Sequence, residues 1–143
     1  MNRKLTLFVM TAAMVVPAAI QAADYPNKME GKAAIACNFE ADLVFGRKVE
    51  MADKYVTPNF VEHNVRARAS DIASFKEGLS KMPKFPGPRS GCGGAKIVLQ
   101  DGDYVVFVRE TQVPDPADNT KRVQGTHFDV FRFEGDKIAE HWD

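Results

Sequence analysis

The stretch FRFEGDKIAEHWD, residues 131–143, carries the clearest structural signal in this chain. Apolar and polar residues alternate on both sides of Gly135-Asp136, a pair typical of a two-residue β-hairpin turn. Counting outward from the turn gives the predicted pairs: Glu134 with Lys137, Phe133 with Ile138, Phe131 with Glu140, and Asp129 with Trp142. The sequence therefore predicts a final hairpin and not a frayed tail.

Side chains alternate along a strand, so this register predicts two faces for the hairpin. The mostly apolar face carries Asp129, Phe131, Phe133, Ile138, Glu140 and Trp142. The opposite face carries Val130, Arg132, Ala139, His141 and Asp143. On this register Trp142 is expected to contact a ligand in preference to His141, although a single β-bulge would exchange the faces.

Asp129 is the candidate acid/base group of the apolar face. An acid against aromatic walls is disfavoured as an anion, which suits a carboxylate to moving protons near neutral pH. The alternative is an acid in a salt bridge, or an acid at a strand end, that simply reaches solvent. His63 and His127 allow two interpretations as well, a cavity-facing or a solvent-facing imidazole. His141 could instead belong to a surface charge cluster.

Two further strands are predicted immediately upstream. AKIVLQ (95–100) and DYVVFVRET (103–111) meet across Asp101-Gly102, a strong hairpin signal. An exposed loop over residues 113–121 then leads to RVQGTHFDVFRF (122–133), the first arm of the final hairpin.

The first half of the chain has helical periodicity. One helix is expected from an Asn27 cap to Phe45, and another from a cap at Ser70 or Asp71. The residues predicted to face inward from these helices and from a shorter one between them are Ile35, Phe39, Leu43, Val49, Ala52, Val56, Ile72, Phe75, Leu79 and Met82. NFVEHN (59–64) predicts a short strand or extended turn. Helices that precede an antiparallel sheet indicate an α+β fold.

Composition and the N-terminus indicate an exported single domain. The 143 residues are 45% apolar and 27% charged with a net charge of +0, which favours neither nucleic acid nor an anionic membrane as a partner. A basic start, an apolar run over residues 5–20 and small residues at Ala22-Ala23 predict a signal peptide at 1–22 before a domain at 24–143. An uncleaved anchor is the alternative, but the run is short and contains Pro17. We therefore expect a periplasmic or secreted protein with no membrane contact after cleavage.

The two cysteines allow two interpretations. In an oxidising compartment Cys37 and Cys92 could form a disulfide, whereas Cys37 in a helical pattern could equally be a buried free thiol. Metal binding is not predicted, since only His127 and Asp129 lie two apart on a strand. The glycine-rich segment PKFPGPRSGCGG (83–94) lacks the spacing of a phosphate-binding loop.

Four segments together resemble the SnoaL-like polyketide cyclases of the nuclear-transport-factor-2-like superfamily, with the nearest similarity to its predicted aldol-condensation branch. They are KYVTPNFVEHN (54–64), FKEGL (75–79), DGDYVVFV (101–108) and FDVFRFEGDKIAEHWD (128–143). The resemblance implies a cone-shaped, curved antiparallel sheet with N-terminal helices that cover an apolar cavity. It also implies a small hydrophobic ligand and pairing of two copies through the outer sheet face.

The same resemblance implies roles for individual residues. Asp129, His63 and His141 would be catalytic, with Asp129 as a general acid/base on a carbonyl compound and no metal or cofactor. Asn64, Phe131 and Trp142 would contact the substrate. The activity implied is that of a lyase, isomerase or cyclase. A non-catalytic binding module for a small hydrophobic ligand, or a purely structural domain, remains an alternative interpretation of the same residues.

Overall fold

The final hairpin forms the middle of a five-stranded sheet. A computed structural model describes residues 29–64, 70–83 and 91–143, so the predicted signal peptide, the Asn27 cap and most of the 83–94 loop lie outside the described residues. The strands are β1 Val56–Glu62, β2 Ile97–Asp101, β3 Tyr104–Pro114, β4 Arg122–Glu134 and β5 Lys137–Trp142. Their order across the sheet is β1-β5-β4-β3-β2. The sheet is curved and does not close into a barrel.

Three helices pack on one face of this sheet. They are α1 Gly31–Phe39, α2 Ala52–Tyr55 and α3 Ile72–Lys81. A π-helical segment, Glu40–Phe45, continues α1, and a 3-10 turn, Val49–Met51, precedes α2. Within the described ranges no helix is long and apolar enough to cross a membrane. The predicted α+β fold is confirmed.

The sheet differs from the prediction at its β1 edge. Strands β2 to β5 are antiparallel as expected, whereas β1 runs parallel to β5. Most of the chain separates these two strands, so no hairpin constrains their relative direction. The β2–β3 turn also moves by one residue, because Asp101 pairs with Tyr104 and leaves Gly102-Asp103 between the strands. Gly102 has a φ of +53°, which a glycine adopts without strain.

A β-bulge in the final hairpin corrects the predicted register. The pairs nearest the turn are confirmed, with Glu134 opposite Lys137 and Phe133 opposite Ile138. The register then shifts, because Arg132 pairs with Glu140 and leaves Ala139 without a partner. Beyond the bulge the pairs are Phe131 with His141 and Val130 with Trp142. The prediction that Glu140 and Trp142 share the inner face with Asp129 was therefore wrong: His141 takes that side, and the other two face outward.

The core lies between the helices and the inner face of the sheet. Phe39 of α1 packs edge-on against Phe131, and Phe131 packs in the same way against Phe107. Asp71 caps α3 as predicted, since its carboxylate accepts a hydrogen bond from the Ser74 N–H at 2.9 Å. Two predicted core positions differ: Val56 is buried but belongs to β1, and Met82 is 52% exposed because α3 ends at Lys81.

A Cys37–Cys92 disulfide joins α1 to the turn Gly91–Gly94 that precedes β2. Of the two interpretations of the cysteines, the structure therefore supports the disulfide. The bridge spans 55 residues of sequence.

Candidate active site

Four charged side chains form a row across the inner face of the sheet. Arg109 of β3, Asp129 of β4, His141 of β5 and Glu62 of β1 project to the same side, and Glu40 lies over them from the π-helical segment. We call these five residues the polar row. Each is 7% exposed or less. Five buried ionisable groups in one place are unusual in a soluble domain, because an unpaired buried charge is costly.

Arg109 joins two carboxylates at one end of the polar row. Its Nη1 donates to Asp129 Oδ2, and its Nη2 donates to Glu40 Oε2 at 3.0 Å. Burial raises the pKa of Glu40, and the charge of Arg109 offsets only part of that effect. Asp129 therefore makes a direct ion pair, while burial favours the protonated form of Glu40.

His141 connects Asp129 to Glu62 at the other end. Its Nδ1 lies 2.9 Å from Glu62 Oε2, and its Nε2 lies 3.5 Å from Asp129 Oδ1. Burial by itself lowers the pKa of His141, but the hydrogen bond to Glu62 and the surrounding negative charges outweigh it, so the net shift is upward. The other Glu62 oxygen accepts the Asn64 N–H at 3.0 Å, and the His141 ring stacks on Phe131.

Polar atoms of Glu40, Asp129 and His141 lie close together in this row. Arg109 engages one oxygen of each acid, while Glu40 Oε1 and His141 Nε2 are buried without a hydrogen bond. Glu40, Asp129 and His141 each place one oxygen or nitrogen within 4.8 Å of the others. At that spacing one polar ligand atom can lie within hydrogen-bond range, about 2.8 Å, of all three.

The polar row reaches the surface beside Asp129. His127 Nε2 lies 3.4 Å from Asp129 Oδ1, and the His127 side chain is 39% exposed. Asp143 is exposed and lies in the same cluster. On this side, Asp129 therefore borders groups that are open to solvent. A surface depression of about 490 Å³ lies elsewhere, between β1 and the start of α3, and none of the polar row lines it.

The predicted site residues divide between two faces. The structure brings Asp129, His141 and Phe131 together on the inner face, and the Asn64 backbone supports Glu62 there. His63 and Trp142 lie on the outer face instead, where their rings stack at 4.5 Å.

The outer face holds a separate ion-pair cluster around Glu140. Glu140 contacts His63 Nε2 at 2.7 Å and Arg132 Nε at 2.5 Å, and these two contacts lower its pKa. His63 is thus engaged with Glu140 and Trp142 and does not approach Asp129. The functional roles of all six predicted residues stay predictions.

Sequence reasoning missed Glu40, Glu62 and Arg109. Each occupies a position where the local pattern requires an inward side chain. Arg109 follows Val105 and Phe107 in steps of two, and Glu62 follows Phe60 in the same way. Glu40 lies one turn after the buried Ala36. A charged residue at an inward position was the available signal.

Three sets of side chains in the described ranges have a geometry that could hold a metal ion. They are Glu40, Asp129 and His141; Glu62, His141 and Asp143; and His127, Asp129 and Asp143. In the first set, the guanidinium of Arg109 already pairs with both acids, and its positive charge would repel a cation. The arrangement at Arg109 therefore favours proton transfer over metal chemistry.

A family model of the SnoaL-like domain matches residues 38–141. The chain belongs to the SnoaL-like domain family. A sequence search against curated proteins finds no match.

Solved structures agree with this family at the level of the fold. A SnoaL-like polyketide cyclase from Agrobacterium tumefaciens superposes with a TM-score of 0.53 at 16% identity, over 80% of this chain and 90% of that one. An NTF2-like protein of unknown function from Cytophaga hutchinsonii gives 0.55 at 12% identity, over 82% and 91%. An LEH-like epoxide hydrolase from M. tuberculosis gives 0.53 at 18% identity, over 78% and 80%.

Proposed function

We propose that this SnoaL-like protein is a cofactor-independent enzyme that moves a proton on a small apolar carbonyl compound, as an isomerase, lyase or cyclase. The observation that carries the proposal is the pair of buried acids, Glu40 and Asp129, which are held by one guanidinium next to the buried His141. An ion-paired carboxylate next to a buried acid whose pKa is raised can act as an acid/base pair.

The geometry assigns a role to each group. Asp129, ion-paired with Arg109, removes a proton from the carbon next to the substrate carbonyl. The electron pair moves onto the carbonyl oxygen, and protonated Glu40 or protonated His141 donates a hydrogen bond to that oxygen. The resulting enol or enolate then either regains a proton at another carbon or attacks a second carbonyl carbon within the same molecule.

Aromatic side chains next to the polar row favour an apolar substrate. Phe131 stacks on His141, and Phe107 lies directly opposite Asp129 across the strands. Apolar walls of this kind exclude water and strengthen the interactions of nearby charges.

The test is exchange of the proposed proton with solvent deuterium. Asp129→Asn removes the base, so exchange next to the carbonyl of a small ketone is expected to be lost. Asp103→Asn is the matched control, because Asp103 is an exposed acid paired with Lys32 and takes part in none of the contacts of the polar row.

Non-catalytic binding of a small hydrophobic ligand is the second candidate function. Its support is the apolar character of the core next to the inner face, where Phe39, Phe107, Phe131 and Phe133 are buried. A protein that binds apolar ketones tightly but never exchanges their protons would have this function.

We also propose that the protein is exported and loses residues 1–22. The Cys37–Cys92 disulfide supports this, because such bonds persist mainly in oxidising compartments. The expected result is a mass for the exported protein that begins at Ala23; exported protein that retains Met1 would contradict cleavage.

Finally, we propose that two copies pair through the outer face of β2, β3 and β4. Apolar residues line this face in two rows across the strands: Ile97, Val108 and Phe128, then Leu99, Val106 and Val130. Ile97, Leu99 and Phe128 are exposed, and the three valines are half-buried. Phe128 and Leu99 are each 55% exposed in the single chain. The proposed partner is a second copy of the same apolar face, because in a symmetric dimer each copy presents this face to the other.

A further inference from the structure

The disulfide is connected to the proposed catalytic acids through the helix of Glu40 and through Arg109. Cys37 precedes Glu40 by about one helical turn on the same continuous helix. Its partner Cys92 offers a backbone carbonyl that accepts a hydrogen bond from Arg109 Nη2 at 3.3 Å. The same Nη2 donates to Glu40 Oε2. One covalent bond therefore links the helix of Glu40 to a group that holds the guanidinium of Arg109.

The residue after Cys92 packs against the same guanidinium. Gly93 is buried with a φ of +66°, and a Cβ built there would lie 2.2 Å from the Phe45 ring and 3.1 Å from Arg109 Nη2. The Phe45 ring in turn lies 5.9 Å from the guanidinium carbon. The Gly93 backbone and the Phe45 ring thus both pack close to the Arg109 guanidinium.

We propose that the Cys37–Cys92 disulfide is a positioning element of the site, which fixes Arg109 between Glu40 and Asp129 through the Cys92 carbonyl and Gly93. The disulfide touches no substrate in this assignment. Its catalytic meaning rests on the proposed function, but the positioning itself does not.

Reduction has a defined consequence. A dithiol reductant supplies two electrons and two protons, the S–S bond becomes two thiols, and the reductant becomes a disulfide. The turn at Cys92 is then no longer covalently tied to α1, so Arg109 gains motion and its contact with Glu40 weakens. If the disulfide only stabilised the fold, its reduction would lower the unfolding midpoint without a selective effect on Arg109.

The test compares four forms of the mature protein by NMR: wild type, Cys37→Ala/Cys92→Ala, Gly93→Ala and Gly94→Ala. Gly93→Ala keeps the disulfide but drives a methyl group into Phe45 and Arg109. Gly94 is the matched control, because its φ of +83° makes alanine equally strained while nothing lies within 4 Å of its Cβ position. The readouts are solvent exchange of the Arg109 guanidinium hydrogens and the titration of the Glu40 carboxyl, assigned with Glu40→Gln.

The cysteine double variant and Gly93→Ala are expected to speed guanidinium exchange on the order of tenfold, as expected for loss of one hydrogen bond to a charged group. Both should raise the pKa of Glu40, because Arg109 no longer offsets its burial. Gly94→Ala should match wild type in both readouts. If the cysteine variant does not fold, wild-type protein reduced with a dithiol takes its place in the comparison.

Two results would overturn the proposal: wild-type Arg109 and Glu40 behaviour in the folded cysteine variant or in reduced wild type, or equal changes in Gly93→Ala and Gly94→Ala. Failure of the proposed function is distinguishable from either. It would appear as absent ketone exchange in wild-type protein whose Arg109 still responds to the disulfide.

Discussion

At the scale of single residues, the pKa values of Glu40 and His141 are both raised, but for different reasons. Burial raises the pKa of Glu40 directly, whereas the contact with Glu62 reverses the effect of burial on His141 and raises its pKa as well. In both cases the folded protein favours the protonated group more than the unfolded chain does. The stability contributed by such a group is complete below its unfolded pKa and is lost as pH rises through its folded pKa.

This sign predicts the pH dependence of a Glu62→Gln variant. Glutamine keeps a hydrogen-bond acceptor for His141 but removes the charge, so wild type is expected to be more stable by about 2 kcal/mol where His141 is protonated. The difference should be full below about pH 6.5, the unfolded pKa of histidine, and should shrink as pH rises through the folded pKa of His141. Urea unfolding at pH 6 and pH 9 measures it.

Glu110→Gln is the control for that comparison, because Glu110 is exposed and lies 3.6 Å from Lys96. It should change stability little at either pH. A Glu62→Gln difference that is constant, or that grows with pH, would show that His141 does not gain a proton through Glu62.

At the scale of elements, regular patterns were predictable and their interruption was not. The final hairpin turn, the helices and the α+β order follow from periodicity and turn residues. The bulge at Ala139 left no such signal, since alanine suits either face of a strand. That one residue reversed the predicted positions of His141 and Trp142, because each extra residue exchanges the faces.

The polar row was only partly predictable for a related reason. Asp129 stood out because its own strand is aromatic. Arg109 and Glu62 occupy inward positions of their strands, but a charged residue taken alone favours solvent. Their meaning depends on neighbours from other strands and on Glu40 from a helix, and the sequence of one element does not specify those contacts.

At the scale of the whole molecule, the two faces of the sheet have different chemistry. The inner face carries the polar row. The outer face carries the two apolar rows on β2, β3 and β4, and the His63–Glu140–Arg132 cluster. Because side chains of successive residues point to opposite faces, one set of strands can supply both surfaces independently. Changes to the outer face should therefore leave the polar row intact.

Phe128→Glu tests the proposed dimer on this basis. A charge in the middle of the apolar outer face is expected to convert a wild-type dimer into a monomer, because burying the carboxylate between two copies is costly. Sedimentation velocity at micromolar concentration measures the change. Val123→Glu, on the other face of the same strand, should remain dimeric. A monomeric wild type, or a dimeric Phe128→Glu, would contradict the outer-face interface.

The central claim is that Asp129 removes a proton from a carbonyl substrate, and hydrogen–deuterium exchange measures that step directly. Small apolar ketones such as cyclohexanone and 2-tetralone are incubated with protein in deuterated buffer, and deuterium next to the carbonyl is counted by NMR. Wild type and Asp103→Asn are expected to catalyse exchange equally, and folded Asp129→Asn to be slower by about 100-fold or more, the usual contribution of a general base. Equal rates for wild type and Asp129→Asn, or no exchange above buffer with wild type, would contradict the account.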